Sequence, residues 1–255
     1  MKNPKTNELT ERIKHAKNIA ILTGAGVSTE SGLPDFRSSE GIYKREHRLE
    51  YYLSRSYFQQ HPAEFWNHYI DIFQLQTLNQ YKPNVSHHVL SEIEKIGKNV
   101  TIITQNVDGF HQAAGSTNVI EVHGSLRGAT CPECVQSYEI DYKGLEKAPL
   151  CVKCQSTGSG GHVILEPNIV LYGDAVIGWE QAEDAIEKAD LFIAMGSSLS
   201  VSPVNMLPAF AAEADIPSVL INNEPTIMDR YFDLVLLGPL GEILKEAASE
   251  IELNI

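Results

Sequence analysis

Seven short apolar runs, each ending in glycine or a small polar residue, limit what this chain can fold into. They are "NIAILTG" (18–24), "NVTIITQN" (99–106), "NVIEVHG" (118–124), "NIVLYG" (168–173), "DLFIAMGSS" (190–198), "PSVLINN" (217–223) and "DLVLLG" (233–238). Stretches with helical spacing lie among them. "NELTERIKHAK" puts Leu9, Ile13 and Ala16 on one face, "HPAEFWNHYIDIFQL" starts near Pro62, and "SHHVLSEIEKIG" stops at Gly97. "WEQAEDAIEKA", "VNMLPAFAAEA" and "GEILKEAASEI" follow later. Strands that read as near-continuous apolar runs are buried on both faces, and their alternation with helices predicts an α/β fold built on a parallel sheet.

Two segments do not fit this rhythm. Residues 38–57 are polar and aromatic with little periodicity, which predicts a long loop of the kind that carries function. Residues 125–163 hold all four cysteines of the chain, several glycines and no long apolar run, which predicts an inserted module. The cysteines read "CPEC" (131–134) and "CVKC" (151–154), with sixteen residues between the pairs. That spacing fits a single zinc ion held by Cys131, Cys134, Cys151 and Cys154. Four thiolates fill a tetrahedral site, so the metal is expected to be structural; the alternative is four unligated buried cysteines.

Charge narrows the partners. The formal net charge is −13, from 33 acidic and 20 basic groups, and an excess of that sign repels nucleic acid and anionic lipid. The cysteine module is itself poor in basic residues and carries Glu133, Glu139, Asp141 and Glu146. The N-terminal segment lacks the apolar core of a signal peptide, and no apolar run approaches the ~20 residues of a membrane span. Clustered cysteines without a secretion signal lead us to expect a cytoplasmic protein.

Polar groups gather just past the strand ends, where open parallel sheets bind ligands. "TGAGVSTESG" puts Gly24 and Gly26 in the turn after the first strand, where the backbone can approach a phosphate and Ser28 can hydrogen-bond to it. The third glycine of the usual dinucleotide fingerprint is missing, since position 29 is Thr. The turn alone fits an ordinary strand–helix connection equally well. Gln105, Asn106 and Asp108 follow the second strand, where Asn and Asp also serve as helix caps. His123 ends another strand in "VHGS", a position suited to a general base. "GSS" (196–198) and "NNE" (222–224) end two more.

Taken together, "TGAGVSTESGLPDFR", "TQNVDGFHQAAG", "VHGS", the two cysteine pairs, "EPNIVLYGD", "GSSLSVSP" and "INNEPT" resemble the sirtuins, the NAD-dependent protein-lysine deacylases. The matches run in order from residue 23 to about residue 226. The resemblance implies a Rossmann-like NAD-binding domain over 1–37, 76–124 and 164–255, a cofactor-binding loop and helical insertion over 38–75, and a zinc module over 125–163. Gly24, Ala25 and Gly26 match the pyrophosphate loop, and Asp35, Phe36 and Arg37 the loop near the nicotinamide. Gln105, Asn106 and Asp108 match residues around the nicotinamide ribose and carboxamide. Gly196, Ser197, Ser198, Asn222 and Glu224 match the adenosine side, with Leu240 bordering the adenine. His123 matches the catalytic base, with Asn106 beside it.

The implied substrate is an acyl-lysine protein or peptide. Val170, Tyr172, Gly173 and Asp174 match the strand to which it adds by β-pairing. The implied reaction cleaves the nicotinamide–ribose bond, with the acyl oxygen as nucleophile and His123 taking a proton from a ribose hydroxyl. The products are deacylated lysine, nicotinamide and O-acyl-ADP-ribose. Three positions depart from the family pattern: Glu166 stands where a basic residue is usual, Tyr172 where a phenylalanine is usual, and Asp174 where a glutamate is usual. Family members that prefer succinyl-lysine carry a Tyr and an Arg three residues on; we align that pair with Tyr69 and Ile72, which predicts an acetyl preference. An ADP-ribosyltransferase and a non-catalytic NAD-sensing module are the alternatives.

Overall fold

A computed structural model describes residues 3–36, 41–156 and 162–253. The strands are β1 (Asn18–Thr23), β2 (Asn99–Thr104), β3 (Val119–Glu121), β4 (Gly124–Thr130), β5 (Ser137–Glu139), β6 (Glu166–Ile169), β7 (Leu191–Met195), β8 (Ser218–Asn222) and β9 (Leu234–Leu237). Six of them form a parallel sheet in the order β3-β2-β1-β7-β8-β9. The helices are α1 (Pro4–His15), α2 (Ile42–Arg45), α3 (Leu49–Tyr52), α4 (Arg55–Gln60), α5 (Pro62–Ile72) and α6 (Val85–Lys95). They continue with α7 (Phe110–Ala114), α8 (Val152–Ser156), α9 (Trp179–Glu187), α10 (Leu207–Glu213) and α11 (Leu240–Ile251). None of these helices is long and apolar enough to cross a membrane.

The period-two geometry of a strand sends alternate side chains of β1 to opposite faces. Ile19 and Ile21 join a core with Leu9 and Ile13 of α1, Leu90 and Ile93 of α6, and Ile243 and Leu244 of α11. Ala20 and Leu22 join the opposite core with Ala182 and Ile186 of α9 and Leu207 and Ala211 of α10. Both faces of the sheet are thus covered, which is why its strands read as near-continuous apolar runs.

A third core lies beside the sheet. Phe65, Trp66 and Tyr69 of α5 pack with Leu126 and Ala129 of β4, Cys131, Cys151 and Leu165. The helical insertion and the cysteine module therefore share one interior. Burying Phe65 alone favours folding by about 1.5–3 kcal/mol. The indole N–H of Trp66 donates to the Leu165 carbonyl at 2.8 Å, which satisfies the one polar atom that this ring brings inside.

The structure corrects three expectations. From residue 42, the predicted long loop is three short helices, α2, α3 and α4, with Ile42, Leu49, Leu53, Tyr57 and Phe58 buried. Each is too short to display a helical period. The run at 168–173 is not a strand of the parallel sheet. Its strand is β6, which pairs antiparallel with β4 in a small sheet ordered β5-β4-β6. After the first glycine turn the chain enters a 3₁₀ segment, Ala25–Ser31, rather than an α-helix, and Gly32 ends it.

Candidate active site

The strand order reverses between β1 and β7, whose neighbours β2 and β8 lie on opposite sides. Loops leaving the carboxyl ends of such a pair diverge and open a crevice. Here the crevice is a cleft of about 430 Å³. Gly24, Ala25, Gly26, Asp35, Phe36, Gln105, Asn106, His123, Val170, Tyr172, Gly173, Asp174, Gly196, Ser197, Ser198, Asn222 and Glu224 all line it. These come from segments as far apart in sequence as the first and last thirds of the chain, and the fold brings them to one place.

The glycines of the first turn have a neighbour that the sequence does not reveal. The Gly26 N–H donates to the Gly196 carbonyl at 2.8 Å, and a Cβ on either Gly24 or Gly26 would sit 2.8 Å from that oxygen. Gly196 has φ +60°, and a Cβ there would meet the Val27 nitrogen at 2.5 Å. Two loops cross backbone to backbone, and both then face the cleft. The turn is thus a close crossing of β1 and β7 as well as an opening for a phosphate.

Ser28 does not line the large cleft, though it lines a smaller cavity beside it. Its buried hydroxyl donates to Asp108 Oδ2 at 2.7 Å and accepts from Asn106 Nδ2 at 3.1 Å. Asp108 in turn accepts the Phe110 N–H at 2.9 Å, so it caps the first turn of α7. Burial pushes its carboxyl pKa up, against the pull of the Phe110 and Ser28 hydrogen bonds. Asp108 does not line the large cleft. It lines a smaller cavity of about 60 Å³ together with Ala25, Phe36, Ile72, Phe73, Asn106 and Val107.

Behind this layer runs a buried polar row that sequence reasoning missed. Thr23 Oγ1 donates to Thr104 Oγ1 at 2.8 Å and lies 2.9 Å from His111 Nε2, and the Asn106 N–H donates to Thr104 Oγ1 at 3.0 Å. The His87 and His111 rings sit 4.9 Å apart. Desolvation holds them down to about 3 and about 4, so both are neutral near pH 7. Nothing in "SHHVL" or "GFHQ" marks these two histidines among the nine.

His123 is half-buried at the cleft, its Nδ1 3.1 Å from the Gln105 carbonyl oxygen. A carbonyl only accepts, so Nδ1 carries the hydrogen and Nε2 keeps its lone pair. Burial lowers the imidazole pKa, with the Gln105 carbonyl pulling weakly the other way. The next residue, Gly124, has φ +79°, and a Cβ there would run into the Asn168 carbonyl, so this turn requires glycine. Gln105 also donates from Nε2 to Ser197 Oγ at 2.9 Å, which ties the β2 and β7 ends together. At the outer end, Asn222 Nδ2 donates to the Glu224 carbonyl at 2.7 Å.

The far wall is the segment from Val170 to Asp174. The Val170 N–H donates to the His123 carbonyl at 2.8 Å. Tyr172 is already paired, however: its N–H donates to Leu53 O and its carbonyl accepts from the Arg55 N–H. An added peptide strand has to use other groups of this segment. Glu166 and Asp174, two of the three departures, are both bonded to Arg55, a residue that sequence reasoning did not single out.

Three further residues singled out from the sequence do not line the large cleft. Tyr69 is fully buried, with Phe65, Trp66 and Phe73 as ring neighbours, and opens on neither cavity. Ile72 lines only the smaller cavity. They therefore form no acyl-recognition pair on the large cleft, because α5 turns that face into the third core. Leu240 is 3% exposed, packed in the sheet's core at the start of α11, so it borders no cleft. Arg37 lies outside the described residues.

The four cysteines converge. Their sulfurs lie within 4.8 Å of one another, with Cys131 to Cys154 at 3.7 Å and Cys134 to Cys151 at 3.6 Å. A tetrahedral ion with Zn–S bonds of about 2.3 Å sets its sulfurs about 3.8 Å apart, so the cluster has the size such an ion needs. The backbone N–H groups of Cys134 and Cys154 point at Cys131 Sγ and Cys151 Sγ, both at 3.4 Å. The Tyr138 hydroxyl lies 3.2 Å from Cys151 Sγ. The cluster can hold a metal ion.

Comparisons with known proteins agree with this geometry. The Sir2 family model matches residues 24–203. The NAD-dependent protein deacetylase 2 of Geobacillus kaustophilus is 45% identical over 248 residues, covering 96% of this chain and 97% of that one. The NAD-dependent protein deacetylase of Bacillus subtilis is 38% identical, covering 91% and 95%. A solved complex of Sir2 with deacetylated p53 peptide and 3'-O-acetyl ADP ribose superposes with TM-score 0.86 at 31% identity, covering 98% and 99%. A Sir2 homolog–NAD complex superposes with TM-score 0.85 at 32% identity, covering 96% and 93%.

Proposed function

The chain belongs to the Sir2 family and is an NAD-dependent protein-lysine deacetylase that yields nicotinamide and O-acetyl-ADP-ribose; we propose the following division of labour among its residues. NAD is consumed, so it is a substrate, and what it brings when bound is a nicotinamide–ribose bond that breaks to release a neutral leaving group. Gly24, Ala25 and Gly26 with Gly196, Ser197 and Ser198 hold its phosphates and adenosine half, and Asn222 and Glu224 the outer ribose. Two facing glycine-bearing loops at the reversal point of a parallel sheet support this reading.

His123 accepts a proton at Nε2 from a ribose hydroxyl, and the Gln105 carbonyl steadies the resulting imidazolium through Nδ1–H. The single observation that carries the proposal is that 3.1 Å contact, which leaves Nε2 unprotonated beside the cleft. Asn106 orients the ribose end, fixed by its own bonds to Thr104 and Ser28. Phe36, Val107 and Val176 exclude water from the reacting end. Asp108 works from below, by holding Ser28 and the start of α7. An acetyl-lysine peptide lies along the 170–174 segment. The metal at Cys131, Cys134, Cys151 and Cys154 is a structural zinc; the four-sulfur donor set leaves no open position for chemistry. Metal-bound thiolates, in place of disulfides, fit a reducing cytoplasm.

The test is to incubate the protein with NAD and an acetyl-lysine peptide and weigh both products. His123→Ala should keep NAD binding and lose deacetylation by on the order of 10²–10⁴-fold. Near wild-type turnover in that variant removes His123 from the mechanism.

A further inference from the structure

Arg55 begins α4, where the chain leaves α3, and its guanidinium spans two carboxylates of the cleft's far wall. Nε and Nη2 lie 2.8 and 2.7 Å from the two oxygens of Asp174, and Nη1 lies 2.6 Å from Glu166 Oε1. All three side chains are only partly exposed, at 28%, 20% and 29% in that order. The backbone repeats the link, because Tyr172 donates to Leu53 O at 2.9 Å and accepts from the Arg55 N–H at 3.0 Å. Asp174 also closes its own turn: Oδ2 accepts the Leu171 N–H at 3.0 Å, and its N–H donates to the Leu171 carbonyl at 2.9 Å. The Arg55 hydrogen bonds are the largest cause holding the Asp174 carboxyl below its usual range.

Arg55 itself is not among the residues lining the cleft, whereas Leu53, Tyr172, Gly173 and Asp174 are. Its effect on a ligand therefore passes through the wall. That wall reaches the base directly, since Val170 donates to the His123 carbonyl. The loops at 24–26 and 196–198 have their own fastening, the glycine crossing, which makes no use of Arg55.

We infer that Arg55 is a positioning residue for the acyl-lysine peptide: by clamping Asp174 and Glu166 together it fixes the 170–174 segment at the height where a peptide can lie against it. The inference rests on the deacetylase reading above. A planar fork with two parallel N–H bonds to one carboxylate sets both distance and angle. Lysine, a point charge, sets only distance.

The experiment measures steady-state kinetics with an acetyl-lysine peptide at saturating NAD, and NAD affinity without peptide by calorimetry. Arg55→Ala and Asp174→Asn should each raise the peptide KM about tenfold, with Arg55→Lys between them and wild type. NAD affinity should move by less than about twofold, as for separate sites. The double variant should be no worse than the more severe single one, because both remove the same clamp. A merely structural arginine would lower the melting temperature and the amount of active enzyme, which appears in kcat, and leave KM alone. Unchanged peptide KM in folded variants, or effects that multiply in the double variant, overturns the clamp. Asp174→Asn, which is nearly isosteric, carries the test if Arg55→Ala does not fold. Failure of the wild type to deacetylate the peptide strikes the deacetylase reading instead.

Discussion

His111 offers a direct measure of how much the buried polar row behind the cleft depends on neutral histidines. It is 1% exposed, and desolvation holds it at about 4 against an ordinary 6.5. Between those values the unfolded chain binds a proton that the folded protein refuses. Stability is therefore full above the unfolded value and drains as pH falls below it. At pH 5.5 an unfolded imidazole favours protonation about tenfold, so the folded state loses about 1.4 kcal/mol through this one group, against almost nothing at pH 8. His111→Gln keeps a donor near the Nε2 position, opposite Thr23, and removes the titration. The variant should be less stable at pH 8, by about 1–3 kcal/mol. From pH 8 to pH 5.5, however, it should lose about 1.4 kcal/mol less than wild type. Urea unfolding at the two pH values, followed by tryptophan fluorescence, reads both numbers. Metal release at acid pH is common to the two proteins and cancels in the difference. Equal losses in wild type and variant refute the argument, because they mean that His111 is already accessible to protons in the folded state.

Two further outcomes are expected. No Lys or Arg is among the described residues lining the cleft, while Val107, Ile169, Val170, Leu171 and Val176 are, so a succinyl carboxylate there meets apolar groups and no cation among those residues. On one peptide, kcat/KM for acetyl-lysine should exceed that for succinyl-lysine by at least about tenfold; a succinyl preference overturns the apolar reading of that wall. Cys151→Ser should lose its metal and melt well below wild type or aggregate, because metal binding in such sites is coupled to folding. Metal analysis and thermal melts check this, and a metal-free variant with wild-type melting and activity sinks it.

How much was legible in the sequence followed from how local each signal was. Strands β1, β2, β7, β8 and β9 announce themselves because covering the sheet with helices leaves little that is polar inside each run, Thr101 of β2 being an exception. β6 belongs to a different sheet, and no property of "NIVLYG" says which neighbours it will pair with. The helices α2 to α4 stayed hidden because one or two turns show no period. Ser28 and Asp108 have the residue types of ligand contacts, but which way each side chain points depends on the 3₁₀ twist after Gly24 and on the start of α7. Tyr69, Ile72 and Leu240 lie off the large cleft for a related reason: an apolar residue on a helix beside a cleft usually faces the core. Arg55 was beyond local reading, since it sits 119 residues from Asp174 in the chain. Its only trace was Glu166, a carboxylate where a basic residue is usual.

The shared interior of α5, β4 and the cysteine loops draws none of its side chains from the parallel sheet. A core of its own predicts that this side unit opens separately from the sheet, with its own opening energy. Opening the side unit breaks no ladder between β1, β2 and β7, so the glycine crossing survives it. Amide hydrogen exchange should therefore sort into two tiers. The faster would cover the cysteine loops, β4 to β6 and the peptide wall, and would quicken when the metal is stripped. The slower would cover the central strands and remain as it was.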